Sequence, residues 1–316
     1  MADMGKKLIL NCDDFGQSRA ANEAIIHLLE EGKVSSATIM TPAPAFEEAA
    51  AWCRRRGADN VGLHLTFTSE YDALRWRSLT GHPSLHDGSG YMYHTVEEFE
   101  RGADPKAVRR EMAAQFEAAR RSGIRISHVD NHMGSLYGTA TGRSYLPLAF
   151  WQCSRRGLPF RLFRRFYLKD AMMAKIAAAG DEAQRTLEKA VALADTLGVG
   201  LPDYLLSHPY HVEEGETYES FRAMMIAKLY DLPDGVSETY IHPAVPDERL
   251  EREIPSWEKR VWEYRLALDD EFAYAMKDAG VELTRYSHVR ERPGRSRARA
   301  ASALAKMLLL GRSPKA

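Results

Sequence analysis

Apolar and polar positions alternate in two rhythms along this chain. Short, nearly continuous apolar runs read as buried strands: KLILNC, SSATIM, VGLHLTF, IRISHVD, LPFRLF, YLLSHPY, SETYIHP and VELTRYS. Between them lie segments of helical period or propensity: SRAANEAIIHLLEEG, AFEEAAAWCRRRG, PKAVRREMAAQFEAARRSG, YLPLAFWQCSRRG, TYESFRAMMIAKLYD and the long SWEKRVWEYRLALDDEFAYAMKDAG. Several end in Gly, a frequent helix stop. Strand and helix in steady alternation predict a parallel sheet covered by helices. The expectation is an α/β fold, an irregular (β/α) barrel of seven or eight mostly parallel strands with helical and loop insertions.

Two stretches interrupt the alternation. Residues 68–95 form a long aromatic-rich loop, and residues 164–203 hold two expected helices, DAMMAKIAAAG and DEAQRTLEKAVALADTLG. Neither carries a strand set of its own, so both read as insertions in one domain spanning 1–290. The tail, 291–316, holds seven Lys or Arg and, from Arg292 onward, no acid. It reads as a solvated basic segment in which ALAKMLLL suits a short helix, too short to span a membrane.

Composition narrows the function classes. The 316 residues are 45% hydrophobic and 28% charged with a net charge of -1, values of a globular protein with ample length for a large core. That balance gives no argument for nucleic acid or a membrane surface as a partner. Cys12, Cys53 and Cys153 are odd in number and widely spaced, against a disulfide framework and for a reducing, cytoplasmic setting. The composition leaves a homo-oligomer open.

Candidate chemistry gathers where a parallel sheet puts it, at the C-terminal strand ends. The first strand runs into Asp13 and Asp14, the third carries His64, and the fourth brings His128, Asp130 and His132. Arg161 lies on the fifth, His208 and His211 follow the sixth, and His242 follows the seventh. Adjacent carboxylates have a plain reading, a turn that caps a helix, and a second in which a divalent cation neutralises one of them. One carboxylate and two imidazoles, with positions left for water, make a common catalytic site. Asp14, His64 and His132 supply that set, with zinc favoured and magnesium or another divalent ion as alternatives. Asp13 then stands as a base and His242 as an acid.

The motifs DDFG, GLHL, HVDNH and HPA, in this order, resemble the YdjC-like carbohydrate deacetylases, the family of the chitooligosaccharide deacetylases. The resemblance runs from about Lys7 to about Val289. It implies a (β/α) barrel and metal-assisted removal of an acetyl group from an N-acetylated sugar, a small carbohydrate substrate. Carried over by position, it makes Asp14, His64 and His132 metal ligands, Asp13 the base and His242 the acid. Arg161 is similar to the arginine that steadies a catalytic carboxylate. His128 and Asp130 are expected just behind the ligands. Phe15, Tyr71, Trp76, Tyr91 and His208 are candidate substrate contacts, the aromatic rings offering faces for a sugar. Metal-dependent phosphoester hydrolysis and a non-catalytic sugar-binding barrel remain the alternative readings.

Overall fold

A computed structural model describes residues 5–178 and 180–289. The first half alternates regularly: β1 (Lys6–Phe15), α1 (Arg19–Glu30), β2 (Ser36–Ile39), α2 (Phe46–Arg56) and β3 (Val61–Leu65). After the long loop come α3 (Val96–Gly102), α4 (Pro105–Arg121), β4 (Val129–Asn131) and α5 (Leu146–Ser154). The inserted helices are α6 (Ala171–Ala178) and α7 (Asp181–Leu197), followed by β5 (Tyr204–Leu206), α8 (Tyr218–Tyr230) and β6 (Gly235–Ile241). The described chain closes with α9 (Glu248–Glu253), α10 (Trp257–Leu268), α11 (Asp270–Asp278) and β7 (Val281–Leu283). The basic tail expected at 291–316 lies outside the described residues.

Every strand pair is parallel, in the order β4-β3-β2-β1-β6-β5, with β7 paired to the start of β1. Parallel strands are covered on both faces, which is why they appeared as continuous apolar runs. Helix ends follow local chemistry. The Ser18 side chain accepts from the Ala21 N–H to start α1, Asp104 and Pro105 start α4, and Gly57 ends α2 in the left-handed region.

The expected fifth strand, LPFRLF, shrinks to a single bridge between Phe160 and Val129. Pro159 has no N–H to give a ladder, and the Leu162 N–H folds back to the Phe160 carbonyl at 3.0 Å. The segment nonetheless joins both edges of the sheet. Arg161 N–H reaches the Val129 carbonyl, and Phe160 N–H reaches the Gly200 carbonyl, each at 2.9 Å. The curled sheet is thus irregular at this segment.

The long helix expected over 256–280 divides at Asp269. Its extended backbone ends α10, and its carboxylate caps α11 by accepting the Glu271 and Phe272 N–H groups. The loop at 68–95 is more ordered than its composition predicts: Thr68 bridges Tyr93, and His86 bridges Met92.

A candidate metal and acid–base centre at the strand ends

Successive side chains on a strand face opposite ways, so two adjacent aspartates should not share one site. β1 escapes this rule with a bulge. Cys12 is level with Ala37 and Phe15 with Ile39, three steps against two. The extra residue is absorbed at Asp14, whose φ of 64° is left-handed. Gly16 completes the turn at φ 94°, where a Cβ would press to 3.2 Å from the Phe46 Cα. DDFG is therefore a backbone device that aims both carboxylates inward.

Asp14 divides its oxygens. Oδ2 accepts from Gln17 Nε2 at 3.0 Å and Arg260 Nη2 at 2.7 Å. Oδ1 is buried, has no hydrogen-bond partner among the described residues, and lies 3.2 Å from His132 Nδ1 and 3.5 Å from His64 Nε2. Each imidazole has a carboxylate behind it. His64 is level with Asp130 in the β3–β4 ladder, which sets its Nδ1 2.6 Å from Asp130 Oδ1. His132 Nε2 meets Glu70 Oε2 at 2.8 Å. A carboxylate behind a ligating histidine fixes ring orientation and raises basicity. An orphaned carboxylate oxygen between two such rings suits a divalent cation, and the residues present fit one.

Electrostatics follow the same plan. Burial works against both imidazolium forms. The Asp130 charge overcomes it for His64, raising its pKa, and the Glu70 and Asp14 charges lift His132 to about 10. Burial would likewise push Asp14 up, yet the charges of Arg260 and then His132 hold it well below the usual carboxylate range.

Asp13 sits beside this trio in a different setting. Arg161 grips it with Nη1 to Oδ2 at 2.6 Å and Nη2 to Oδ1 at 2.7 Å, and Asn11 Nδ2 adds a bond at 2.8 Å. The same guanidinium reaches Asp130 at 3.0 Å and Glu238 at 2.8 Å. Asp13, His64 and Asp130 also converge. Arg161 already occupies that space, and His64 Nδ1 is committed to Asp130, so this second group supports the first. Burial acts to raise Asp13, but Arg161 outweighs it and keeps the carboxylate ionised. His242 Nε2 lies 4.0 Å from Asp13 Oδ2. Burial lowers its pKa against the pull of Asp14 and Glu263, favouring the neutral ring.

The chain matches the family described as YdjC-like protein over residues 7–278. It belongs to the YdjC-like family. A relative named carbohydrate deacetylase from Vibrio vulnificus (strain YJ016) is 25% identical over 283 residues, covering 90% of this chain and 96% of that one. Another of that name, from Enterococcus faecalis (strain ATCC 700802 / V583), is 28% identical over 287 residues, covering 89% and 97%. The crystal structure of a candidate cellobiose-phosphate cleavage protein (EF3048) from Enterococcus faecalis V583 aligns with a TM-score of 0.69 at 26% identity. It covers 90% of this chain and 99% of that one.

Several expected substrate contacts of this YdjC-like site are buried or covered in the structure. Phe15 is fully buried and packs edge-on against Trp52, because the bulge turns it to the helix side. His208 is withdrawn from the mouth, its side chain 2% exposed and its Nε2 2.6 Å from Glu263 Oε1. Glu263 Oε2 accepts the His242 backbone N–H at 2.6 Å, so His208 supports His242 through an acid. The Tyr91 ring is covered by the Arg75 and Arg77 guanidiniums. Trp76 is buried, donates to the Thr68 carbonyl at 2.8 Å and lies edge-on to His132 at 5.7 Å. Tyr71 is buried and turns its hydroxyl to Arg260 and Tyr210.

His128 bonds neither His132 nor Asp130. Its ring stacks on Tyr286 at 3.9 Å and approaches Asn11 Oδ1 at 3.2 Å, so it braces Asp13 through Asn11. Gly62 of GLHL makes room for it, since a Cβ there would lie 2.6 Å from the ring. Sequence reasoning missed Glu70, Glu238, Arg260 and Glu263. A charge inside an apolar strand, as in SETYI, was the available signal for Glu238.

Proposed function

We propose that this protein is a carbohydrate deacetylase that hydrolyses the acetamide of an N-acetylated sugar, with a divalent ion held by Asp14, His64 and His132. The observation that carries this reading is the unpartnered Asp14 Oδ1 between two carboxylate-backed imidazoles, beside an arginine-clamped Asp13. The names of the Vibrio and Enterococcus relatives, matched over nearly their whole lengths, support the substrate class. A divalent ion in that site supplies Lewis-acid polarisation.

The chain's own residues then handle the proton. Asp13, ionised by Arg161, takes a proton from the attacking water as its oxygen bonds to the acetyl carbon. His242, neutral at rest and 4.0 Å from Asp13 Oδ2, receives that proton and passes it to the departing nitrogen. The C–N bond breaks, acetic acid leaves and gives its remaining proton to solvent as acetate, and the free amine stays on the sugar. Glu263 and His208 hold His242 in place through this exchange.

Acetate release should be measured across N-acetylated mono- and oligosaccharides, with and without a chelator, beside a phosphoester panel. Chelator-sensitive acetate release supports the reading. Phosphate release without acetate, or sugar binding without turnover, overturns it.

A further inference from the structure

Arg260 is the least expected charge in the molecule. It comes from α10, 246 residues after Asp14, and is 1% exposed. Among the described residues, Asp14 is the acid it pairs with, at 2.7 Å. One nitrogen, Nη2, faces three oxygens: Asp14 Oδ2, Tyr210 Oη at 2.6 Å and Tyr71 Oη at 3.0 Å. Its Nε and Nη1 are buried and have no partners among the described residues. An arginine buried for packing alone would be expected to satisfy its fork, because an unpaired buried donor costs about 1–3 kcal/mol. This one brings a single nitrogen to one oxygen of a proposed ligand and to two tyrosine hydroxyls.

The consequence for Asp14 is geometric. A carboxylate with both oxygens free can rotate or offer either one, while Oδ2 here is fixed by Arg260 and Gln17. Oδ1 alone is left facing the imidazoles. The left-handed backbone at Asp14 has no glycine to relax it, so a side-chain anchor helps hold the bulge. The same nitrogen ties the loop at 68–95, through Tyr71, to the segment after β5, through Tyr210.

Resting on the proposed metal-dependent reading, we propose that Arg260 is the positioning residue that makes Asp14 present a single oxygen to the cation. It acts through Asp14 and need not touch substrate. The tyrosine hydroxyls are secondary acceptors of the same nitrogen.

The test is metal binding to chelator-stripped protein, followed by calorimetry with Zn²⁺ and by the visible spectrum with Co²⁺. Arg260→Met and Arg260→Gln should each weaken Zn²⁺ roughly 10–100-fold, as loss of an outer partner does, and alter the Co²⁺ bands. Arg260→Lys, which keeps the ion pair, should recover part of the affinity. The Tyr71→Phe/Tyr210→Phe pair should bind Zn²⁺ as wild type does. Wild-type affinity and spectrum in a folded Arg260→Gln protein would overturn the proposal and leave the metal reading intact. So would a tyrosine pair that loses metal as Arg260→Met does. Wild-type protein that binds no divalent ion would overturn the metal reading and this proposal with it, and Asp14→Asn marks that baseline.

Discussion

Arg161 holds Asp13 by both carboxylate oxygens, at 2.6 and 2.7 Å, and the pair is buried. A two-pronged grip fixes the direction of the carboxylate and its ionisation, and lowers its basicity at the same time. In the proposed mechanism, Asp13 therefore suits a proton that it passes on at once, with His242 4.0 Å away to take it.

Asp13→Asn keeps the shape and removes the proton acceptor. Turnover of an acetylated sugar should fall by roughly two to four orders of magnitude, while metal content by elemental analysis stays at the wild-type level. His64→Ala should lose metal and activity together. An Asp13→Asn protein emptied of metal but still folded would exchange the roles of the two aspartates.

Glu70→Gln keeps a hydrogen-bonding side chain behind His132 Nε2 and removes its charge. Divalent-ion affinity should drop roughly 10–100-fold with little change in unfolding midpoint. Unchanged affinity would show that His132 is positioned by its strand end and by Trp76 without help from the acid.

How much of this was legible in the sequence depended on whether function sat in a local pattern. DDFG, GLHL and HVDNH lie at strand ends, so apolar runs located them. The bulge that lets Asp13 and Asp14 share one site leaves no periodic trace, because it is a single extra residue. Arg260 lies in WEKRVWEYR, where its charge by itself gives no sign of burial. Yet Lys259, Arg260, Glu263, Leu266 and Ala267 are all buried, spaced as one helical stripe. Charges in register with apolar residues were a readable signal. Glu70 offered none, since its place comes from a loop that pairs back on itself through Thr68 and Tyr93.

His128 makes stability depend on pH. Burial lowers its pKa from 6.5 to about 3, whereas the unfolded chain protonates it near 6.5. The unfolded state therefore binds more protons between those values, and stability falls as pH drops through that window. Above it, the contribution is fully present. Urea midpoints at pH 7.5, 6 and 5 should decline more steeply for wild type than for His128→Gln. The difference should be up to about 1.4 kcal/mol per pH unit. Carboxylates titrating elsewhere cancel in that comparison, and parallel curves would mean that His128 is already relieved of its burial.

Trp76 tests what the long loop does. An aromatic ring in a loop beside His132 suggests a platform for a sugar, and its loss would then raise KM above all. The ring instead is 2% exposed, with its N–H spent on the Thr68 carbonyl and its edge against the His132 imidazole. Truncation should open a cavity behind a proposed metal ligand and cost roughly 3–5 kcal/mol of stability. Trp76→Ala should therefore lower the thermal midpoint and weaken divalent-ion binding. Trp76→Phe, which refills most of the space but loses the N–H, should do less of both. If Trp76→Ala binds metal normally and only KM rises, the ring contacts the sugar after all, and the loop must open to expose it.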